Sequence, residues 1–309
     1  MKLIFMGTPD FAVPCLESLI DAGHEIAAVF TQPDKPVGRK QVLTPSPVKV
    51  CAEKHGITVY QPRSVRTDDA VSIVRNIAPD CVVVVAFGKI IPPEMLAIPR
   101  LGFVNVHGSL LPKYRGAAPI QWAVIDGEKR TGVTTMQMDE GLDTGDILDV
   151  MSTDIGENET SGELFDRLAP MGAELIVKTL EKLEQGIVTP IKQDDSLSNY
   201  AKIITKDMAQ IDFSVSAEAA FNCIRGFNPW PVAYTIISGR RMKVFAAEKV
   251  GSVKGAAGEV VCSDKSLVVA FGDGNGLEFT DVQLEGSKRM PAADLLKGRS
   301  IEKGTVLGE

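Results

Sequence analysis

The chain has 309 residues, 44% hydrophobic and 24% charged, at a mean hydropathy of +0.07, long enough for two domains and apolar enough to build substantial cores. No apolar run approaches the roughly 20 residues of a bilayer span, and the apolar opening at residues 1–7 is too short for a signal peptide. A net charge of −7 runs mildly against bulk electrostatic binding of nucleic acid; five scattered cysteines without a CxxC pair argue against a disulfide framework or zinc site and fit a reducing cytoplasm.

Residues 3–7, Leu-Ile-Phe-Met-Gly, read as a short buried strand. Phe11, Cys15, Leu19 and Ile20 then recur at helical spacing up to Gly23, with Thr8 placed to cap that helix and Pro9 at its first position. Residues 25–31 form a second strand, so the chain opens as strand–helix–strand, the start of a doubly wound sheet. The fingerprint GxGxxG is absent after the first strand, which removes the usual cradle for a dinucleotide. The turn at residues 8–11 reads either as a plain connection or as an anion site.

Four prolines between residues 32 and 47 predict an irregular loop, and Lys35, Arg39 and Lys40 make it basic within an acidic region. A long loop in a compact domain is often functional, although so small a charge cluster is more commonly a solvated excursion. A helix follows near 48–55, then a strand at 58–60 and a helix near 68–77. Residues 81–87 are nearly all apolar and rich in valine, the mark of a central strand covered on both faces.

Residues 103–107 are the next strand, and residues 121–126 belong to a helix. Strands at 132–138 and from Ile147 flank an acidic loop with two glycines, and residues 161–185 make a long amphipathic helix. The texture changes near 186–206, where residues 190–206 read as a linker. A helix near 216–226 and short strands at 232–237, 241–248, 258–262, 266–271 and 277–284 suggest a small barrel. The expected architecture is a Rossmann-like, doubly wound, mostly parallel sheet over 1–189, followed by a smaller OB-like β-barrel over 207–309.

Chemistry concentrates where the 103–107 strand ends. Side chains alternate along a strand, so Asn105 and His107 share a face at a carboxyl end, where open α/β sheets bind ligands. His24 and His55 each sit beside a glycine near a helix end and read as surface or capping residues. A lone strand-end histidine is more often structural; the neighbouring amide is what singles out His107.

An imidazole exchanges protons near neutral pH, and an amide can donate to an oxyanion without carrying charge. A carboxylate could hold the imidazole in one tautomer, but Asp139, Asp143, Asp146 and Asp149 all lie nearby in sequence. With no nucleophile elbow and no metal cluster, the set suits direct acyl transfer to a nucleophile brought by the substrate.

Asn105-x-His107 followed by Ser109-Leu110-Leu111-Pro112, with Asp143 in Gly-Leu-Asp-Thr-Gly-Asp, resembles the catalytic domain of the 10-formyltetrahydrofolate-dependent formyltransferases. The resemblance runs over essentially the whole chain, through Thr31-Gln32-Pro33-Asp34, residues 115–121 and Phe227-Asn228-Pro229-Trp230-Pro231, and is greatest to the branch acting on methionyl initiator tRNA. It implies a formyl group passed from 10-formyltetrahydrofolate to the α-amino group of methionine on that tRNA, by a cytoplasmic monomer with no metal.

By position, Asn105 would polarise the formyl carbonyl, His107 would shuttle the proton and Asp143 would orient His107. Ser109, Leu110, Leu111 and Pro112 would line the folate pocket. Lys35, Arg39 and Lys40 would reach the tRNA acceptor end, and the C-terminal barrel would offer the acceptor stem a groove. Residues 1–200 net −8 and residues 201–309 net +1, so a tRNA binder needs its positive potential concentrated, with Arg240, Arg241 and Lys243 as further candidates. The rival readings are a formyltransferase or hydrolase of the same superfamily acting on a small substrate, and a non-catalytic tRNA- or folate-binding protein.

Overall fold

In the computed structural model, which describes residues 1–38 and 40–308, the chain opens with β1 (Lys2–Gly7), five of whose six residues are buried. A 3-10 turn at Asp10–Ala12 leads into α1 (Val13–Asp21) and β2 (Glu25–Phe30). A small hairpin follows, β3 (Lys35–Val37) and β4 (Val42–Thr44), then α2 (Pro47–Lys54) and β5 (Val59–Tyr60). Next come α3 (Asp68–Ile77), β6 (Cys81–Val85), α4 (Pro93–Leu96), β7 (Phe103–His107), β8 (Arg115–Gly116) and α5 (Pro119–Ile125). Strands β9 (Arg130–Gln137) and β10 (Ile147–Asp154), helix α6 (Ser161–Glu184) and β11 (Tyr200–Ala201) complete this half.

Two local expectations are corrected. Pro9, not Thr8, occupies the N-cap position of the 3-10 turn, and no side chain caps it. Thr8 Oγ1 instead accepts from the Gln32 amide at 3.4 Å. The proline-rich 32–47 stretch is not irregular either: β3 and β4 pair antiparallel, with Pro36 opposite Leu43. A two-stranded ribbon has open edges, so the N–H that proline lacks breaks no central ladder.

The main sheet has the order β10-β9-β7-β6-β1-β2-β5. From β7 to β5 every pairing is parallel, while β9 runs antiparallel to both β7 and β10. Strand β6 is buried at all five positions, which is why it reads Cys-Val-Val-Val-Val without alternation. Each fully buried valine contributes about 1.5–3 kcal/mol. A side chain at Gly7 would place its Cβ 2.9 Å from the Ala12 Cβ and 3.0 Å from the Val85 carbonyl oxygen. Glycine there lets the 3-10 turn close onto the ends of β1 and β6, beside β7.

The later residues form α7 (Ala217–Gly226), with Ser216 as its cap, then β12 (Tyr234–Ile237), β13 (Arg240–Ser252), β14 (Val260–Cys262), β15 (Leu267–Ala270), β16 (Asn275–Leu284), β17 (Met290–Pro291) and α8 (Ala292–Gly298). Strands β12-β13-β16-β15-β14 are antiparallel in that order, with β17 added to β16. Register shifts between Val244 and Ala246, Ala246 and Ala247, and Lys249 and Gly251 interrupt the long β13–β16 ladder. Such bulges bend the strand and curl the sheet into the OB-like half-barrel.

Contacts divide the chain into two compact units. The first holds residues 1–119, 130–154 and 165–202; the second holds 120–129, 155–164 and 203–309. Most of the segment expected as a linker, up to residue 202, therefore packs within the first unit. Among the described residues, no helix is long and apolar enough to cross a membrane.

Candidate active site

Asn105 and His107 are the third and last residues of β7, and both are buried, at 8% and 5% exposure. Their shared face follows from strand alternation. The acidic loop between β9 and β10 brings Asp143 to them. Asn105 Nδ2 donates to Asp143 Oδ1 at 3.5 Å, and His107 Nδ1 lies 3.7 Å from Asp143 Oδ2. The same Oδ2 accepts the Gly116 amide at 2.8 Å. One carboxylate thus faces the amide, the imidazole and a backbone N–H.

Two of the neighbouring acids, Asp139 and Asp149, are engaged elsewhere. Asp139 Oδ1 accepts from the Gly141 amide and from Thr144 Oγ1, closing the turn. Asp149 pairs with Lys182 at 2.6 Å and accepts the Val150 amide. Asp143 itself sits at φ +54°, and Tyr114 at φ +62°, left-handed conformations that cost a non-glycine residue about 1–3 kcal/mol. Both are held by contacts around the site. The Tyr114 carbonyl oxygen lies 2.8 Å from His107 Nε2, and a carbonyl can only accept, so Nε2 carries the hydrogen.

The 109–112 turn lies directly beyond β7, but its polar groups point into the protein. Ser109 is fully buried and its Oγ donates to the Lys113 carbonyl at 2.7 Å. Thr134 on β9 braces the turn twice, donating to the Ser109 carbonyl at 2.7 Å and accepting the Leu111 amide at 3.2 Å. Leu111 packs with Met136 and Ile147, and the Leu111–Pro112 peptide is cis. Leu110 and Pro112 are half-buried.

Lys35 and Lys40 are exposed on the hairpin region, and Arg39 lies outside the described residues. The hairpin stands on a locked base. Lys49 Nζ pairs with Asp34 at 2.8 Å, Gln61 Nε2 donates to Asp34 Oδ1 at 2.7 Å, and Thr31 Oγ1 and Ser46 Oγ are 2.7 Å apart. The Lys49 ammonium, with the Gln61 amide, holds the Asp34 carboxyl below its usual value. In the second unit Arg241 is exposed and stacks on Tyr234, 4.2 Å from the ring centroid.

Sequence reasoning missed the groups that hold the trio in place, chiefly Tyr114, Gln193 and Asn199. Gln193 Nε2 donates to the carbonyls of Asp143 at 2.9 Å and Gly145 at 2.7 Å. Asn199 Oδ1 accepts the Tyr114 amide. Only Gly116, inside a quoted motif, carried a signal. Among the described residues, the one group of three possible metal ligands is Glu17, Cys51 and His55, on or at the end of α1 and α2, away from this site.

Comparison with known proteins matches the "Formyl transferase" family model over residues 1–180 and the "Formyl transferase, C-terminal domain" model over residues 203–300. The chain is 51% identical over 316 residues to a methionyl-tRNA formyltransferase of Lachnospira eligens, covering 100% of both chains. It is 48% identical over 310 residues to one from Alkaliphilus oremlandii, again covering 100% of both. Among solved structures, the fold is similar to an N-formyltransferase of Helicobacter canadensis in complex with folinic acid and dTDP-3-aminofucose. That match has a TM-score of 0.68 and 20% identity, over 94% of this chain and 100% of the other. HypX of Aquifex aeolicus in complex with tetrahydrofolic acid matches at a TM-score of 0.64 and 16% identity, over 99% of this chain and 50% of that one.

Proposed function

The chain belongs to the formyl transferase family, and we propose that Asn105, His107 and Asp143 are the groups with which it moves a formyl group from 10-formyltetrahydrofolate to the α-amino group of methionyl initiator tRNA. The reaction is that of the full-length relatives sharing about half of its residues. The assignment of the groups rests on one observation: the Asp143 carboxylate faces both Asn105 Nδ2 and His107 Nδ1 at the carboxyl end of β7.

The amine attacks the formyl carbon, and the carbonyl oxygen gains negative charge. Asn105 donates its amide N–H to that oxygen. His107 takes the amine proton at Nδ1, the ring nitrogen not committed to Tyr114, and Asp143 supplies the countercharge. The proton then passes to the folate nitrogen as its bond to the formyl carbon breaks. Leu110 and Pro112 offer the folate an apolar wall, with Ser109 and Leu111 bracing it from behind. Lys35, Arg39 and Lys40 meet the acceptor end of the tRNA, and the half-barrel with Arg241 meets its stem. The protein works as a cytoplasmic monomer.

The test is to incubate the folded protein with 10-formyltetrahydrofolate and either Met-tRNA or glycinamide ribonucleotide. Formyl-methionyl-tRNA is the expected product. Its absence, or formylation of the ribonucleotide alone, overturns the reading.

A further inference from the structure

We propose that residues 190–202 form a strap that positions the acid–base pair, with Gln193 as its principal positioning residue. This rests on the reading of Asp143 and His107 as the reacting pair. The strap is fastened along its length. Ile191 exchanges both backbone hydrogen bonds with Ile147 at the start of β10, at 2.8 and 2.9 Å. At the other end β11 pairs parallel with β8, Tyr200 opposite Arg115 and Ala201 opposite Gly116. The Asn199 carbonyl accepts the Arg115 amide at 3.0 Å, and the Ala201 carbonyl accepts the Ala117 amide at 2.9 Å.

What the strap holds is what holds the pair. Tyr114 gives its carbonyl to His107 Nε2 and Gly116 gives its N–H to Asp143 Oδ2; both lie on the stretch that β11 and Asn199 grip. Gly116, at φ +117°, also makes room for the strap, since a Cβ there would fall 2.6 Å from the Tyr200 ring and 2.7 Å from the Ala201 carbonyl oxygen. Gln193 grips the opposite side, the backbone of the Asp143 loop itself.

The orientation of its amide follows from its neighbours. Nε2 sits between the carbonyl oxygens of Asp143 and Gly145, which can only accept. Oε1 accepts from Arg115 Nε at 3.0 Å and from a terminal guanidinium nitrogen at 2.8 Å, which can only donate. Both hydrogens and the oxygen of one side chain are therefore used to tie the Asp143 loop to the Arg115 stretch. Aspartate enters the left-handed region more readily than most residues, through local bonds of its side chain, but both Asp143 oxygens face Asn105, His107 and Gly116 instead, so the bonds from Gln193 help to hold the backbone there.

The discriminating variant is Gln193→Glu. It keeps the shape and the contact with Arg115 but sets a carboxylate oxygen against two carbonyls. A displacement of about 1 Å at a reacting group can cost on the order of a hundredfold in rate. We expect kcat to fall by about ten- to a hundredfold with KM for both substrates within about twofold of wild type, and a melting transition retained. Relative to wild type at the same pH, activity should recover partly toward acid pH, where the introduced carboxyl, once protonated, can donate to one of the carbonyls. Gln193→Leu, neutral and similar in size, should lose kcat likewise without that pH signature, and carries the test should the glutamate variant fail to fold. Asp143→Asn is measured alongside. Wild-type turnover in Asp143→Asn overturns the reading of the site; loss there, with wild-type kcat and pH profile in the folded Gln193 variants, overturns the strap.

Discussion

His107 Nε2 lies 2.8 Å from the carbonyl oxygen of Tyr114, so the nitrogen left to exchange a proton is Nδ1, the one that faces Asp143. In the proposed reaction the aspartate would therefore do more than orient a ring from behind; it stands 3.7 Å from the nitrogen that would take the proton. Tyr114 fixes the tautomer from the other side, a task that falls to a backbone carbonyl and leaves no trace in side-chain identity.

Replacing Asp143 with asparagine should remove the countercharge while an oxygen remains to accept the Gly116 amide. Turnover is expected to fall by about 10²–10⁴-fold, with the melting temperature close to wild type. Asn105→Ala should cost about 10²–10³ in kcat, the loss typical of one oxyanion donor. Steady-state kinetics beside a thermal melt decide both. Loss of the melt would mark the residues as structural supports, and unchanged kcat would exclude them from the chemistry.

Thr134→Val removes the hydroxyl that bridges the Ser109 carbonyl and the Leu111 amide while keeping the side-chain shape. Each buried group left without its partner costs about 1–3 kcal/mol, and the 109–112 wall should loosen. The KM for 10-formyltetrahydrofolate should rise more than kcat falls. Denaturant unfolding with paired kinetics checks this, and an unchanged KM would detach the turn from folate binding.

Asp34 titrates lower in the folded chain because Lys49 and Gln61 bind its charged form. The unfolded chain, with Asp34 near its usual value of 3.8, takes up the proton first as the pH falls. The stabilisation is thus complete above that value and disappears as the pH falls through the lower folded value. Asp34→Asn should unfold at lower denaturant than wild type from pH 7 to about pH 5, with the gap closing below about pH 4. A gap that persists undiminished in acid would show that the charge plays no part.

Arg39→Ala, or Lys35→Ala with Lys40→Ala, should impair formylation of Met-tRNA while folate binding stays near wild type. The rate with tRNA should also lose part of its salt dependence. Titration of the folate alongside kinetics at two salt concentrations separates the effects. An equal loss of folate affinity would sink the division of labour between hairpin and pocket.

Strong local patterns are legible in the chain: the unbroken valines of β6, the amphipathic period of residues 161–185, and Asn105 and His107 on one face of β7. Each rests on neighbours in sequence. Asp143 is not separable from Asp139, Asp146 or Asp149 on local grounds; Asp139 and Asp149 are set apart only by bonds made in the fold, within the turn and to Lys182. Residues 190–206 read as a linker because the two-residue strand β11 carries no periodicity and its partner, β8, lies far earlier in the chain. Pro36 suggested disorder of pattern where a two-stranded ribbon tolerates it.

The hairpin's base has a consequence for how this enzyme can change. Thr31 with Ser46, and Asp34 with Lys49, join the two ends of the excursion to each other and to Gln61, so the base is closed by side chains that lie outside β3 and β4. We expect segments exchanged or lengthened between β3 and β4 to be tolerated; if the hairpin meets the tRNA as proposed, substrate preference could diverge there without touching Asn105, His107 or Asp143. The base residues have less freedom: changing Asp34 or Lys49 alone leaves the other without its ion-pair partner.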